Sequence, residues 1–184
     1  MGRRVALLAL AALTVAACGG GGDLSATERR AAAGELQSYL RTVRAEQRMF
    51  VRVQHASISA NDAVNTTKPD ISWAAAAKTL AESREAYETL ALRLRDIRPP
   101  DALEEGHDAL ARSVNLFARY VDGYQRALRT KRGTALLEWA DRSEVTGARM
   151  IELRRSWRRE LEAYAAELEV RLPRWVDAVG KPLA

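Results

Sequence analysis

The stretch from Asp101 to Thr130, DALEEGHDALARSVNLFARYVDGYQRALRT, carries the clearest structural pattern in the chain. Its mostly apolar positions recur at steps of three and four residues, which is the period of an α-helix. They form one stripe, with the members Leu103, His107, Leu110, Val114, Phe117, Val121, Tyr124 and Leu128. Pro99 and Pro100 precede the stretch and mark its start, because proline disfavours helical geometry in the residue before it. The stretch therefore predicts an amphipathic helix with a single buried face.

Three further segments show the same helical period, at about 25–64, 71–97 and 135–172. Turn-forming residues rich in proline, glycine, threonine and asparagine separate them, and no stretch alternates like a β-strand. Amphipathic helices joined by short connections favour antiparallel neighbours. We therefore expect an all-α fold, an antiparallel up-and-down four-helix bundle whose first and last helices are the longest.

Two helix starts carry the signature of a capping box, in which two side chains satisfy free backbone N–H groups reciprocally. Ser25 is followed three residues later by Glu28, and Asp101 is followed by Glu104. These pairs predict that helices begin next to Ser25 and Asp101.

The first 17 residues have the layout of an export signal. Arg3 and Arg4 are followed by an uncharged run from Val5 to Ala17 that ends in small residues. At about 1.5 Å per residue this run would reach only about 20 Å, which is shorter than the bilayer core of roughly 30 Å. Residues 1–17 are therefore interpreted as a cleaved signal peptide.

The end of that signal, Val15-Ala16-Ala17-Cys18, resembles the lipobox of bacterial lipoproteins. The resemblance implies that the chain is cut before Cys18 and that the Cys18 thiol carries a diacylglyceryl group, which anchors the protein in the membrane. Four glycines follow, and glycine-rich chain is flexible, so residues 18–24 are expected to be a lipidated tether. The expected location is the extracytoplasmic face of the cell membrane.

Composition limits the remaining possibilities. Cys18 is the single cysteine, so no disulfide can form within the monomer and stability must come from packing. The net charge of +5 comes from 25 arginines and 4 lysines interleaved with acidic residues, a pattern typical of solvated helix faces. We expect no nucleic-acid partner. The bundle is expected over 25–175 and a tail over 176–184, with Trp175 either at the lipid headgroups or packed on the first helix.

Polar residues on the core-facing stripes are the candidates for function. Counting register from the loops places His107 near Trp157 and Tyr39, and places Phe117 beside Gly147, where its ring would fill the space of the missing side chain. One interpretation is a pocket for a small ligand, lined by Tyr39, Glu46, Tyr87, His107, Arg154 and Trp157. The other is a satisfied polar layer, in which Glu46 pairs with Arg154 and His107 is hydrogen-bonded to a neighbour.

A metal site is not expected. Glu104 and His107 have the Glu-x-x-His spacing of di-iron bundles, but such sites need a second motif of this kind and two further glutamates. His55, the other histidine, has Arg52 at the corresponding position. No nucleophile–base set and no glycine-rich phosphate loop is recognisable, so we expect no cofactor and no enzymatic activity.

The segment Ile97 to His107, IRPPDALEEGH, resembles a recurring feature of uncharacterised helical-bundle lipoproteins of GC-rich bacteria. This resemblance implies a shared bundle and no known activity. The expected function is a non-enzymatic interaction or scaffold module, tied to the membrane by its lipid and open to an envelope protein partner. The alternative is a bundle that binds a small ligand or solute in an internal pocket.

Overall fold

The computed structural model describes residues 24–66 and 69–181. Side chains are described at all of these positions except 65, 66 and 69–72. It consists of four long helices, α1 (Ala26–Thr66), α2 (Pro69–Asp96), α3 (Glu104–Arg129) and α4 (Gly133–Glu167), with 3₁₀ turns at Asp101–Leu103 and Arg174–Ala178. Consecutive helices pack on one another, which confirms the all-α bundle with long first and last helices. None of the described helices is long and apolar enough to cross a membrane.

The two predicted capping boxes have different outcomes. At the start of α1, the Ser25 N–H donates to Glu28 Oε2 at 2.9 Å and the Glu28 N–H donates to Ser25 Oγ at 3.3 Å, which confirms the first box. At Asp101 the box is wrong, since the helix start has no side-chain cap. The 3₁₀ turn takes its place: the Leu103 N–H donates to the Pro100 carbonyl at 2.8 Å. The turn buries Leu103 completely.

Helix α4 ends at Glu167, five residues before the predicted end near 172, because the chain forms a Schellman motif there. Glu169 adopts a left-handed conformation with φ of 57°. The Glu169 N–H donates to the Ala166 carbonyl at 3.1 Å, and the Val170 N–H donates to the Ala165 carbonyl at 2.8 Å. This motif turns the chain back along α4.

The returning segment belongs to the bundle and extends it beyond the predicted boundary at residue 175. Val176 and Val179 are fully buried. Trp175 stacks on Trp157 of α4 with ring centroids 6.2 Å apart. Arg158 Nη1 donates to the Val179 carbonyl at 3.3 Å and holds the segment in place.

Helices α1 and α4 are less closely apposed than the consecutive pairs. Among the described residues they are not one of the helix pairs whose backbones approach at several positions. Long side chains bridge the space instead, with Trp157 reaching Tyr39 and Arg154 reaching Gln47. The bundle therefore has an open seam along one side.

Candidate ligand-binding cleft

Three of the predicted site residues form one hydrogen-bonded chain, called the polar chain below. Trp157 Nε1–H donates to the Tyr39 hydroxyl at 2.8 Å. The Tyr39 hydroxyl and His107 Nδ1 are 2.9 Å apart, and His107 Nε2 lies 2.6 Å from the Leu94 carbonyl. A carbonyl can only accept, so Nε2 carries the proton and Nδ1 accepts from Tyr39. Every side-chain polar group of the polar chain therefore has a hydrogen-bond partner.

The polar chain is buried and uncharged. Trp157 is 0% exposed, His107 3% and Tyr39 4%. Burial lowers the pKa of His107 and raises the pKa of Tyr39, because an apolar environment disfavours the charged form of each group. The polar chain joins α1, α3 and α4 to the end of α2. This agrees with the predicted hydrogen bond of His107 to a neighbour and with a structural role for these three residues.

The predicted pairing of Glu46 with Arg154 is wrong. Glu46 Oε2 lies 4.0 Å from Arg93 Nη1 on α2. Its neighbour Gln47 is the residue that contacts Arg154, because adjacent positions on a helix point about 100° apart. A second ion pair joins α2 to α3, with Arg84 Nη1 3.3 Å from Asp122 Oδ1.

The open seam between α1 and α4 contains a cleft of about 410 Å³, a volume within the range of small-molecule sites. Helices α1 and α4 form its two walls, and α2 and α3 form its floor. The lining is mainly apolar and aromatic, with Phe50, Phe117, Tyr120, Trp139, Met150 and Ile151 among its members. Of the six predicted ligand-site residues, Tyr87 and Arg154 line this cleft, and the other four lie elsewhere.

The predicted contact of Phe117 with Gly147 is also wrong. A Cβ atom added at Gly147 would have none of the described atoms within 4 Å. The Phe117 ring packs edge-on against Phe50 at 4.8 Å between centroids and tilts against Tyr87 at 5.5 Å. The space left by the missing side chain of Gly147 is part of the cleft.

Arg154 is the only buried arginine in the described core, at 5% exposure. Its Cζ lies 4.0 Å above the Phe50 ring centroid, and its Nη2 donates to Gln47 Oε1 at 3.0 Å. Its Nη1 is buried and has no hydrogen-bond partner among the described residues. A buried donor without a partner costs about 1–3 kcal/mol, and more when it is charged. Arg154 thus lines the cleft with a guanidinium that has one unsatisfied, buried donor.

No carboxylate in the described chain forms an ion pair with Arg154. Burial lowers the pKa of Arg154 to about 10, so the guanidinium is still protonated near neutral pH. Burial also raises the pKa of Tyr87 to about 12, against the opposing effects of a hydrogen bond with Ser57 and of the Arg154 charge. The cleft thus contains a fixed positive charge beside neutral aromatic groups.

No protein-family model, curated protein or solved structure matches this chain.

The polar groups of the cleft are one guanidinium, three tyrosine hydroxyls, three amides and one serine hydroxyl from α1, and Lys181. Among the described residues, no three His, Cys, Asp or Glu side chains lie close enough together to hold a metal ion. A cationic hydrogen-bond donor that lies in an apolar wall favours an organic anion over an inorganic one. The hydrocarbon part of an organic anion can bury its apolar surface against that wall.

Sequence reasoning missed the α1 wall of the cleft. That wall carries an uncharged residue at every turn: Gln47, Gln54, Ser57 and Asn61 lie beside the apolar positions Phe50 and Ile58. Most other outward positions of α1 are charged or small, so an uncharged polar stripe was the available signal. Its proximity to α4 could not be deduced from periodicity alone.

Proposed function

We propose that this protein is a lipid-anchored, extracytoplasmic helical bundle that binds a small organic anion in the α1–α4 cleft. The observation that carries the proposal is the buried Arg154 guanidinium, whose Nη1 has no described partner and which lines an apolar cleft of about 410 Å³. A ligand carboxylate or phosphate would supply the missing acceptor through a charge-assisted hydrogen bond. The role is binding without chemistry on the ligand.

The anchor part of the proposal rests on Cys18 and its lipobox, which lie outside the described residues. Gln47 at the near end of the cleft lies 21 residues into α1, which corresponds to about 32 Å of helix. With the anchor at the amino terminus, the cleft would stand clear of the headgroups and open to the aqueous phase of the envelope. A solute could then enter it without leaving water for the bilayer.

One observation favours the interaction-module alternative. Leu137 and Val145 on the outer side of α4 are 69% and 77% exposed. Single exposed apolar residues are common on soluble proteins, so they support a protein partner less strongly than Arg154 supports an anion.

The anchor is tested by the Cys18→Ala variant. Cells are fed an alkyne-tagged fatty acid, and the protein is denatured before the tag is detected, so that only covalent lipid is counted. The wild-type chain should carry the tag and begin at residue 18 by mass spectrometry, whereas Cys18→Ala should carry none. Equal tagging of the two chains, or an untagged wild type with a free thiol, would contradict the anchor.

The ligand site is tested by thermal unfolding of the wild-type protein in membrane suspensions. The probes are octanoate, phenylacetate and phenyl phosphate, with octanamide and phenylacetamide as uncharged controls. At a ligand concentration of about 100 times Kd the stabilisation is about 2.7 kcal/mol, which raises the Tm of a chain of this size by about 5–10 °C. At least one organic anion should produce this shift, and the amides should not.

The matched variants for this test are Arg154→Met and Arg142→Met, both on α4. Arg142 is exposed and lies 3.4 Å from Glu138, so its loss should leave the ligand shift unchanged. Arg154→Met should abolish the shift. If no organic anion moves the Tm, or if Arg154→Met responds like the wild type, the binding proposal fails and the interaction module becomes the better account.

A further inference from the structure

The cleft is elongated. On α1 it runs from Gln47 to Asn61, and fourteen residues of helix correspond to about 21 Å. On α4 its lining residues run from Trp139 to Arg154, a similar length of helix. A ligand that fills the cleft is therefore elongated as well.

The volume, lining and length of the cleft suit a single alkyl chain. Its volume of about 410 Å³ is within the range of small-molecule sites, and its lining is mainly apolar and aromatic. An acyl chain of one bilayer leaflet spans about half of a hydrocarbon core of roughly 30 Å, so such a chain and its carboxylate fit within the length of the cleft.

The distribution of polar groups along the cleft also favours a ligand with a charged group at one end only. The cationic end holds Arg154, and Lys181 also lines the cleft next to Gly180, which packs against the backbone of Arg154 and Arg155. At the far end, the amide oxygen of Asn61 already accepts a hydrogen bond from the Tyr124 hydroxyl at 2.8 Å. The far end therefore needs no second charged group from the ligand.

The aromatic lining is arranged in two packed groups, one near each end of the cleft. Phe50, Phe117 and Tyr87 contact one another near Arg154. Tyr120 and Tyr124 pack on Trp139 at the far end, with centroid distances of 4.9 and 4.5 Å. Because these ring faces already contact other rings, a ligand would contact mainly the ring edges. Ring edges suit a flexible alkyl chain better than a planar ring that needs a free face for stacking.

We propose that the ligand is a long-chain fatty carboxylate, with its carboxylate on Arg154 and its chain lying along the cleft past Gly147 towards Trp139. The inference rests on the proposed function, since it needs an anionic group at Arg154. It adds the chemical nature of the hydrocarbon chain attached to that group. Gly147 lies seven residues, or about 10 Å, from Arg154 along α4. A compact anion would stop before it, whereas a long chain must pass it.

This difference provides a steric test with the variant Gly147→Leu, which places a side chain in the path and leaves Arg154 unchanged. Gly34→Leu is the matched control, because Gly34 is an exposed helical glycine that likewise has no described atom within 4 Å of an added Cβ. Butanoate, octanoate and hexadecanoate are the probes, and hexadecanol is the uncharged counterpart. Wild-type affinity should rise by at least about twofold for each added methylene.

Gly147→Leu should weaken hexadecanoate binding at least tenfold and leave butanoate binding within about twofold of wild type. Gly34→Leu should leave both unchanged. If butanoate or phenylacetate binds at Arg154 while hexadecanoate binds no more tightly, or while Gly147→Leu has no effect on hexadecanoate, the fatty-acid inference is overturned and the anion site stands. If none of the anions depends on Arg154, both proposals fail.

The position of the chain is tested in native membranes with hexadecanoate that carries a photoreactive diazirine at its terminal carbon. After irradiation, cross-linked residues should map to the far end of the cleft, around Ile58, Asn61 and Trp139, and labelling should be lost in Arg154→Met. Labelling confined to surfaces outside the cleft, or labelling that the alcohol analogue reproduces, would overturn the inference. Capture of a two-chain phospholipid in place of the fatty acid would overturn it as well.

Discussion

Replacing Tyr39 with phenylalanine should lower the free energy of unfolding by about 2–4 kcal/mol, although it removes a single oxygen atom. The Tyr39 hydroxyl accepts from Trp157 Nε1–H and donates to His107 Nδ1. Without it, one buried donor and one buried acceptor lose their partner, and each such group costs about 1–3 kcal/mol. Urea denaturation followed by tryptophan fluorescence measures the change.

Tyr164→Phe is the matched control for this substitution. Tyr164 is half-buried on α4, and its hydroxyl makes no hydrogen bond among the described residues, so its loss should change the free energy of unfolding by less than about 0.5 kcal/mol. A Tyr39→Phe cost as small as that of the control would show that the polar chain does not stabilise the bundle.

The polar chain should also make the stability of the protein depend on pH in the acidic range. Burial lowers the pKa of His107 in the folded state, whereas a histidine in the unfolded chain titrates near 6.5. As the pH falls below about 6.5, the unfolded chain binds a proton that folded His107 excludes, so stability falls by up to about 1.4 kcal/mol per pH unit until the folded pKa is reached. Above that window the contribution is fully present. His107→Gln should remove this part of the pH dependence.

Replacing Arg154 with methionine should have the opposite sign and raise the free energy of unfolding by about 1–2 kcal/mol in the absence of ligand. A folded-state pKa of about 10 for a buried arginine corresponds to a cost of about 3 kcal/mol at neutral pH. Methionine removes that cost and retains an unbranched apolar chain against Phe50. The bond to Gln47 and the contact with the Phe50 ring, together worth about 1–2 kcal/mol, are lost in exchange.

A gain in stability that accompanies a loss of ligand binding is the result expected of a functional residue kept at a structural cost. The measurement is urea denaturation of ligand-free protein, with Arg142→Met as the control that should stay within about 0.5 kcal/mol of wild type. If Arg154→Met is instead less stable than wild type by more than 1 kcal/mol, the guanidinium is a structural group satisfied by Gln47 and Phe50. The case for an anion at that position would then be lost.

Local signals predicted the helices well, because each depends on residues close together in the chain. The three- and four-residue period placed four helices, and the Ser25–Glu28 box formed as expected. The Asp101–Glu104 box failed even though its spacing was correct, since the chain leaving Pro100 satisfies its first donor with a backbone carbonyl. The end of α4 was misplaced because left-handed Glu169 carries no sequence signal of the kind that glycine provides.

The candidate site was predicted less well, because it depends on which helices approach each other and at what distance. Register counting brought Tyr39, His107 and Trp157 together correctly, since short loops restrict how helices can be offset. It could not show that this group would be closed by hydrogen bonds, or that Arg154 would face Gln47 in place of Glu46. A rotation of one residue about a helix axis is sufficient to exchange those two neighbours.

The sequence alone determined the all-α class, the order and relative lengths of the helices, and the burial of Arg154 and His107 on core-facing stripes, because hydrophobic periodicity is a property of each helix by itself. Only the tertiary structure decided that α1 and α4 stand apart, and that, among the residues it describes, none fills the space beside Gly147 and no carboxylate pairs with the guanidinium of Arg154. Those features depend on the separation and rotation of helices distant in the chain, which are set by the packing of all four helices and the returning C-terminal segment together.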